Sequence, residues 1–224
     1  MRRAVLRLTS QGYNRILASI LAAAIAKPEH ADQAVIDVLR AARGRSALWP
    51  TDDDLRLRLE SSVVYGYVGA PRLRMLLEAC ELELRDSAHV EDLPLPEGLS
   101  VEHVLPQAWV ENWPLPDGLP QGTDADAAAA LRESRIHRLG NLTLVTQPLN
   151  ARLSNAAWIG RDGQPSKRHE LDRHSLLLLN RELQVHDQWD EDTIDVRGTL
   201  LTERILCTWP GPNDTVWQLA TTSR

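Results

Sequence analysis

Four residues in the second half of the chain carry side chains suited to hydrolytic chemistry. Glu102 and His103 are neighbours within residues 101–106, and Asn141 and Asn150 follow in two later segments. A carboxylate is an oxygen ligand for a hard cation, and a neutral imidazole accepts a proton near neutral pH. An asparagine adds either an oxygen ligand or a turn and helix-capping group. The set therefore predicts a general base beside a cation.

The surrounding residues predict how this set is positioned. Residues 101–106 are typical of a short strand that ends at Pro106, and residues 139–145 alternate apolar and polar side chains as a half-buried strand does. Asn150 comes just after Pro148, where we expect a helix to begin. Neighbouring strand residues point to opposite faces, so Glu102 and His103 serve one site only if the strand ends or twists there.

This order of residues resembles the HNH, or ββα-metal (His-Me) finger, nucleases. More narrowly, it is similar to the C-terminal nuclease domain of GmrSD-type modification-dependent restriction enzymes and to the related SspE-type phage-defence proteins. In those proteins an acidic-His pair ends the first strand, an Asn lies in a Gly-Asn-Leu turn, and a His or Asn near the next helix start completes the metal site. Glu102-His103, Gly140-Asn141-Leu142 and Asn150 occupy these places, and the similarity extends over about residues 45–210.

The resemblance implies a metal-dependent DNA endonuclease that nicks or cuts with little sequence preference. The catalytic residues it implies are His103 as the base, Asn141 as a brace for the loop that carries the histidine, and Asn150. Glu102 and Asn150 would hold one divalent ion, Mg²⁺ first and Mn²⁺ or another transition metal as the alternative. With the ordinary histidine pKa of about 6.5, activity should rise with pH through about 6 to 7.

The charge distribution bears on DNA as the partner. A net charge of −6 argues against a nucleic-acid ligand, because phosphate neutralisation supplies most of the affinity. Between Arg132 and Arg181, however, nine basic residues stand against four acidic ones, a net of +5, while much of the acidic excess lies in residues 86–97 and 187–195. Solvated helix faces are the alternative explanation of such a charge run. The expected DNA contacts are Arg152, Lys167, Arg168, His137 and Arg138.

Other interpretations stay open. Taken singly, a Glu-His pair is commonly a surface or core pair, and Asn before a helix is commonly a cap; the ordered set is what favours a site. His137 is the internal rival of His103, and Trp109 and Trp113 are candidates for stacking on a base. The competing function is a catalytically silent nuclease-like domain that binds DNA or a protein.

The predicted fold class is α+β and predominantly α-helical, with a small ββα-metal finger embedded among helices. The predicted parts are a helical N-terminal unit (1–92), the finger with an inserted loop and helix (93–160), and a C-terminal helical unit (161–224). Apolar periodicity and capping residues predict helices over residues 13–27, 29–43, 51–65, 71–85, 124–137, 166–173, 176–183 and 190–209.

Cellular location and partner domains are also expected from the sequence. The chain has no apolar run near the length of a membrane-spanning helix, and its two cysteines, Cys80 and Cys207, have no partner at ligand spacing. We expect a cytoplasmic protein with no membrane contact. The resemblance implies a separate N-terminal NTPase and modification-sensing domain in the full-length protein, so that this chain would be the isolated nuclease domain.

Overall fold

The structure is a computed structural model that describes residues 1–89, 93–115, 124–160 and 166–219. It divides into two compact units, one made of Met1–Arg58 with the described part of Leu206–Arg224, the other of Leu59–Ile205. The predicted boundary at Asp92, part of the predicted loop before residue 124, and the charges Arg161 and Asp162 lie outside the described residues. In the described part of the chain, no helix is long and apolar enough to cross a membrane.

The first unit is helical. It contains α1 (Arg2–Val5), α2 (Tyr13–Ala26), α3 (Ala31–Ala41), most of α4 (Asp52–Ser61) and α11 (Val216–Leu219). Pro28 opens a short 3-10 turn between α2 and α3, since proline lacks the amide hydrogen that a continuing α2 would need. α4 starts with a reciprocal cap, in which Asp54 N–H donates to the Thr51 hydroxyl and Thr51 N–H donates to the Asp54 carboxylate.

The second unit holds two strands among its helices. The strands are β1 (Ser100–His103) and β2 (Leu142–Val145), and the helices are α5 (Ala70–Ser87), α6 (Ala125–Ile136), α7 (Gln147–Leu153), α8 (Lys167–His174), α9 (Leu178–Arg181) and most of α10 (Glu191–Thr208). β1 and β2 pair antiparallel, with Glu102 opposite Thr143 and His103 opposite Leu142. The long segment that contains α6 connects the strands, and α7 follows β2 directly. The predominantly helical α+β class is confirmed.

The outer edge of β2 is covered by side chains. Arg197 donates to the carbonyls of Gly140 and Leu142, and Asn180 donates to the carbonyl of Leu144. Both side chains are buried, so they satisfy carbonyls of β2 and of the turn before it that pair with no further strand among the described residues. A Cβ on Gly140 would overlap the Ile194 carbonyl, because α10 passes directly against this turn. The turn into β2 therefore depends on a residue without a side chain.

Buried tryptophans form much of the core around the sheet. Trp109 and Trp113 are each 6% exposed, and Trp158 and Trp189 pack in the same apolar cluster as Val104 and Leu105. The indole N–H of Trp109 donates to Glu133, and that of Trp113 donates to the Ala156 carbonyl. The hypothesis that Trp109 and Trp113 stack on a base is wrong for this structure, since their rings and polar atoms are engaged inside the protein.

The predicted helices agree with the structure except near Tyr65 and over residues 176–183, where α9 is followed by a 3-10 turn over Glu182–Val185. The third helix was expected to continue to residue 65, but α4 ends at Ser61. The N–H groups of Val64 and Tyr65 donate instead to the carbonyl of His137, at 2.9 and 3.1 Å. A long-range contact thus replaces the last turn of the expected helix, and it brings Tyr65 to the end of β1.

Candidate active site

Glu102 and His103 lie at the C-terminal end of β1. The side chain of Glu102 is 18% exposed, and His103 as a residue is 4% exposed. The chain leaves the strand immediately afterwards, and Val104 N–H donates to the Asn141 carbonyl at 2.9 Å. Both residues lie within β1 and pair in regular register with β2, so their side chains leave opposite faces of the strand at its C-terminal end.

The imidazole of His137 contacts the imidazole of His103. Nε2 of His103 lies 3.1 Å from Nδ1 of His137, and the two rings are edge to face. The ring of Tyr65 contacts both, with its centroid 4.5 Å from that of His103 and 5.5 Å from that of His137. This aromatic cover removes His103 from water on two sides.

The environment of His103 keeps its imidazole neutral. Burial, followed by the proximity of His137 and of Lys167, lowers the pKa of His103 from 6.5 to about 3. The expected rise of activity through about pH 6 to 7 does not follow from this pKa, because the base is already deprotonated below that range. In the described part of the chain, Nδ1 of His103 makes no hydrogen bond and is not among the buried unpaired side-chain atoms, so it keeps contact with solvent.

Lys167 lies directly behind Glu102 and His103. Its Nζ is 3.2 Å from Oε1 of Glu102 and 2.7 Å from the carbonyl oxygen of His103, and the residue is fully buried. Burial lowers the pKa of Lys167, and the bond to Glu102 opposes that shift. Lys167 was expected to contact DNA phosphate; its buried position excludes this in the structure described, and it ties α8 to β1 instead.

Asn141 connects the two segments that carry the histidines. Its Oδ1 accepts from Leu105 N–H at 2.8 Å and from the Trp189 indole at 3.1 Å. Its Nδ2 donates to the carbonyls of Leu105 and Ile136 at 2.8 and 2.9 Å. Asn141 is fully buried. Its side chain thus acts on the backbone next to His103 and next to His137 and does not face a substrate.

Asn150 lies inside α7, in its second turn. The helix begins at Gln147 with Thr146 in the capping position, and Asn150 N–H donates to the Thr146 carbonyl. The alternative that Asn150 caps the helix is therefore wrong. Within the described residues its side chain forms no hydrogen bond and is only partly buried, so its amide oxygen is available to a ligand.

Glu102 and Asn150 carry oxygen ligands of the kind that a hard divalent ion binds. The described residues contain no group of three or more His, Cys, Asp or Glu side chains arranged to hold a metal. Oε2 of Glu102 has no hydrogen-bond partner among them and is not buried unpaired, so one carboxylate oxygen is open to a ligand. Magnesium sites commonly use one or two carboxylates and fill the other positions with water and phosphate.

The sequence was compared with models of known protein families. The family model described as the C-terminal domain of GmrSD restriction endonucleases matches residues 49–204, more than two thirds of the chain. The chain belongs to this family. No curated protein and no solved structure matches it significantly. The GmrSD C-terminal family includes the whole candidate site, and the match confirms the resemblance expected over about residues 45–210.

In this GmrSD-family domain most of the basic residues expected to bind DNA have acidic partners. Arg138 bonds Asp195 at 3.0 Å, and Arg168 bonds Asp187 at 3.0 Å. These partners come from the acidic segment 187–195, which the fold brings onto the basic stretch, so the net of +5 along the sequence is not a free positive surface. Arg152 differs, since its side chain is 61% exposed and its acidic partner Glu170 is 3.9 Å away.

Sequence reasoning did not find Tyr65 or the structural role of Lys167. Tyr65 was placed within a helix, and the signals against that helix were Ser61-Ser62 and Gly66, which has a φ of 75°. Lys167 is the residue after Ser166, whose hydroxyl accepts from His169 N–H as the cap of α8. A basic residue at a helix start is disfavoured by the helix dipole, and this is a sequence signal that Lys167 has a partner elsewhere.

Proposed function

We propose that this domain is a metal-dependent DNA endonuclease of the HNH type. The observation that carries the proposal is His103, a neutral, largely buried imidazole whose Nδ1 keeps contact with solvent, next to Glu102 in the chain at the end of β1 in a restriction-endonuclease family domain. Hydrolysis of a phosphodiester at neutral pH needs a base to deprotonate water and a positive charge near the leaving oxygen. His103 supplies the first of these.

In this mechanism Nδ1 of His103 takes the proton of the attacking water. Glu102 and Asn150 would hold the divalent ion, Mg²⁺ or alternatively Mn²⁺ or another transition metal, which would supply positive charge at the phosphate. Lys167 holds the carbonyl of His103 and one oxygen of Glu102, so both side chains keep their positions as the substrate binds. Asn141 fixes the backbone that follows His103.

DNA is the proposed substrate, with Arg152 as the principal described phosphate contact. A phosphate contact carries no base information, which is consistent with nicking or cutting that has little sequence preference of its own. Selection of modified or foreign DNA would then come from a separate N-terminal NTPase and modification-sensing domain, in a cytoplasmic restriction or antiviral system. The division into parts at residues 1–92, 93–160 and 161–224 also stays a prediction.

A plasmid assay tests the proposal. Supercoiled plasmid is incubated with the protein in Mg²⁺, in excess EDTA, and in EDTA followed by excess Mg²⁺ or Mn²⁺. The proposal expects nicked or linear product with metal, none with EDTA, and recovery on re-addition. Cleavage that persists in EDTA would contradict the metal dependence, and an absence of product under every metal condition would contradict the nuclease assignment.

The second candidate is a nuclease-like domain that binds DNA or a protein without cleaving. The observation that favours it is the ammonium of Lys167 beside Glu102, which partly neutralises the one carboxylate of the proposed ion site. DNA retained in a mobility-shift assay with Mg²⁺, without nicking in the matched plasmid assay, would favour this candidate over the enzyme.

A further inference from the structure

His103 and His137 form a histidine pair, and this contact gives His137 a role in the proposed reaction. We propose that His137 is a positioning residue for the general base: its Nδ1 accepts the Nε2–H of His103, which leaves the lone pair on Nδ1 of His103 for the attacking water. The two nitrogens are 3.1 Å apart, within ordinary hydrogen-bond distance. The inference rests on the proposed function, because it concerns that same base.

Two tautomeric arrangements satisfy this hydrogen bond. In one, His103 is protonated at Nε2 and donates, and His137 accepts at Nδ1 and carries its own proton on Nε2. In the other, His137 donates from Nδ1 and both rings carry their protons on Nδ1. The first keeps both neutral rings in the Nε2–H form, which histidine side chains in water prefer. It therefore costs less, and it is the arrangement that leaves Nδ1 of His103 unprotonated.

The free edge of His103 is compatible with this choice. Nδ1 has no hydrogen-bond partner among the described residues and retains contact with solvent, whereas Nε2 faces His137. When an acceptor holds the Nε2–H of a histidine ring, the ring has one fixed orientation and its proton stays on Nε2. Water can then meet only the Nδ1 edge, which the proposed hydrolysis requires.

The fold positions His137 as firmly as it positions His103. The carbonyl of His137 accepts two backbone N–H groups, from Val64 and Tyr65. The ring of Tyr65 stacks on the ring of His137, with an angle of 12° between their planes. On the other side, Asn141 donates to the carbonyls of Leu105 and Ile136, which lie two residues after His103 and one before His137. One asparagine thus sets the separation of the two segments that carry the pair.

The tautomer is directly measurable without any activity. Long-range ¹H–¹⁵N spectra of the full chain distinguish a protonated from an unprotonated imidazole nitrogen. The His103 signals are assigned among the seven histidines by their loss in His103→Gln. We expect His103 to show a protonated Nε2 and an unprotonated Nδ1 near neutral pH, and His137→Leu to remove the hydrogen-bond shift at Nε2. A protonated Nδ1 on His103 would overturn the inference.

Kinetics test the functional consequence. His137→Gln keeps a side-chain oxygen that can accept from Nε2–H, and His137→Leu does not. We expect His137→Leu to lower kcat by about ten- to a hundred-fold with KM little changed, and His137→Gln to recover much of that loss. The matched control is His30→Leu, an exposed histidine in the other unit, with melting temperatures measured for all three variants.

The outcomes separate this inference from the proposed function. Cleavage by His137→Leu at the wild-type rate would overturn the positioning role and leave the nuclease assignment intact. If the wild type cleaves no DNA, the proposed function fails, and the spectra still decide the tautomer of His103. If His137→Leu is unfolded, the wild-type spectrum and the rate of His137→Gln decide the matter, since a Gln variant as slow as His103→Gln would contradict the acceptor role.

Discussion

Nζ of Lys167 lies 3.2 Å from Oε1 of Glu102, the carboxylate of the proposed ion site. The lysine is fully buried, while the glutamate keeps a side-chain exposure of 18%. Charge burial on this scale is unfavourable unless it is compensated, and here the compensation comes from one carboxylate oxygen and the carbonyl of His103. The lysine therefore orders the site and also competes with any ion for the charge of Glu102.

Replacing Lys167 by Met separates these two effects. The variant loses the ion pair and leaves the His103 carbonyl without its donor, so we expect a loss of stability of about 1–3 kcal/mol. We also expect tighter binding of a divalent ion, because Glu102 regains its full charge. Mn²⁺ titration followed by electron paramagnetic resonance measures the affinity, and Lys167→Arg is the charge-keeping control. Weaker Mn²⁺ binding by Lys167→Met than by the wild type would show that the lysine supports the ion site instead of competing with it.

The pKa of His103 predicts a specific pH dependence of stability. The folded-state value is about 3, and the unfolded chain has about 6.5. Between these values the unfolded chain binds a proton that the folded chain does not, so the contribution is fully present above about pH 6.5 and is lost as pH falls, by up to about 1.4 kcal/mol per pH unit. Urea unfolding at about pH 7 and about pH 5 should show a smaller loss for His103→Gln than for the wild type. Equal losses would place the folded pKa near its ordinary value.

Asn150 tests the ion site without disturbing the fold. Because it lies in the second turn of α7 with no side-chain hydrogen bond among the described residues, Asn150→Ala should melt close to the wild type. The variant should need more Mg²⁺ for half-maximal cleavage before its maximal rate falls. Asn150→His should stay active and shift in preference toward Mn²⁺, since imidazole suits transition metals better than Mg²⁺. Unchanged metal dependence in both variants would show that Asn150 is not a metal ligand.

Arg152 is expected to contribute to DNA affinity. Its exposed guanidinium is available to phosphate, whereas Arg138 is held by Asp195. Arg152→Gln should weaken binding to unrelated duplexes about equally and reduce the salt dependence by about one released ion, while Arg138→Gln should act mainly on stability. Fluorescence anisotropy across a salt series measures both variants. An equal change in salt dependence for Arg138→Gln and Arg152→Gln would contradict this distinction. It would show that Arg138 leaves Asp195 and contacts phosphate when DNA binds.

Local sequence signals were sufficient for most of the helices and for the two strands. Pro28, Thr51 and Asp124 mark helix boundaries because their effects act within one turn. Gly140 and Asn141 mark the turn into β2, where the structure has a 3-10 turn over Leu139–Asn141. Such signals report where an element begins or ends, and they carry no information on what it packs against.

The rest of the site depends on contacts between residues distant in sequence. Tyr65 reaches the histidine pair because the carbonyl of His137 accepts its backbone N–H, a bond that no local pattern around Tyr65 indicates. In the folded domain, Arg138 and Arg168 of the basic stretch form ion pairs with Asp195 and Asp187, which follow it in the chain. Net charge along a segment therefore overestimated the DNA-binding surface, because side-chain pairing is decided only in the folded protein.

The most direct test of the central claim is the cleavage rate of His103→Gln relative to the wild type. Supercoiled plasmid is cut under single-turnover conditions at saturating Mg²⁺, with circular dichroism to show that the variant is folded and anisotropy to show that it binds DNA. Loss of the general base should lower the rate by about 10²- to 10⁴-fold while folding and affinity are kept. A folded His103→Gln variant that cleaves at the wild-type rate would contradict the assignment of His103 as the base.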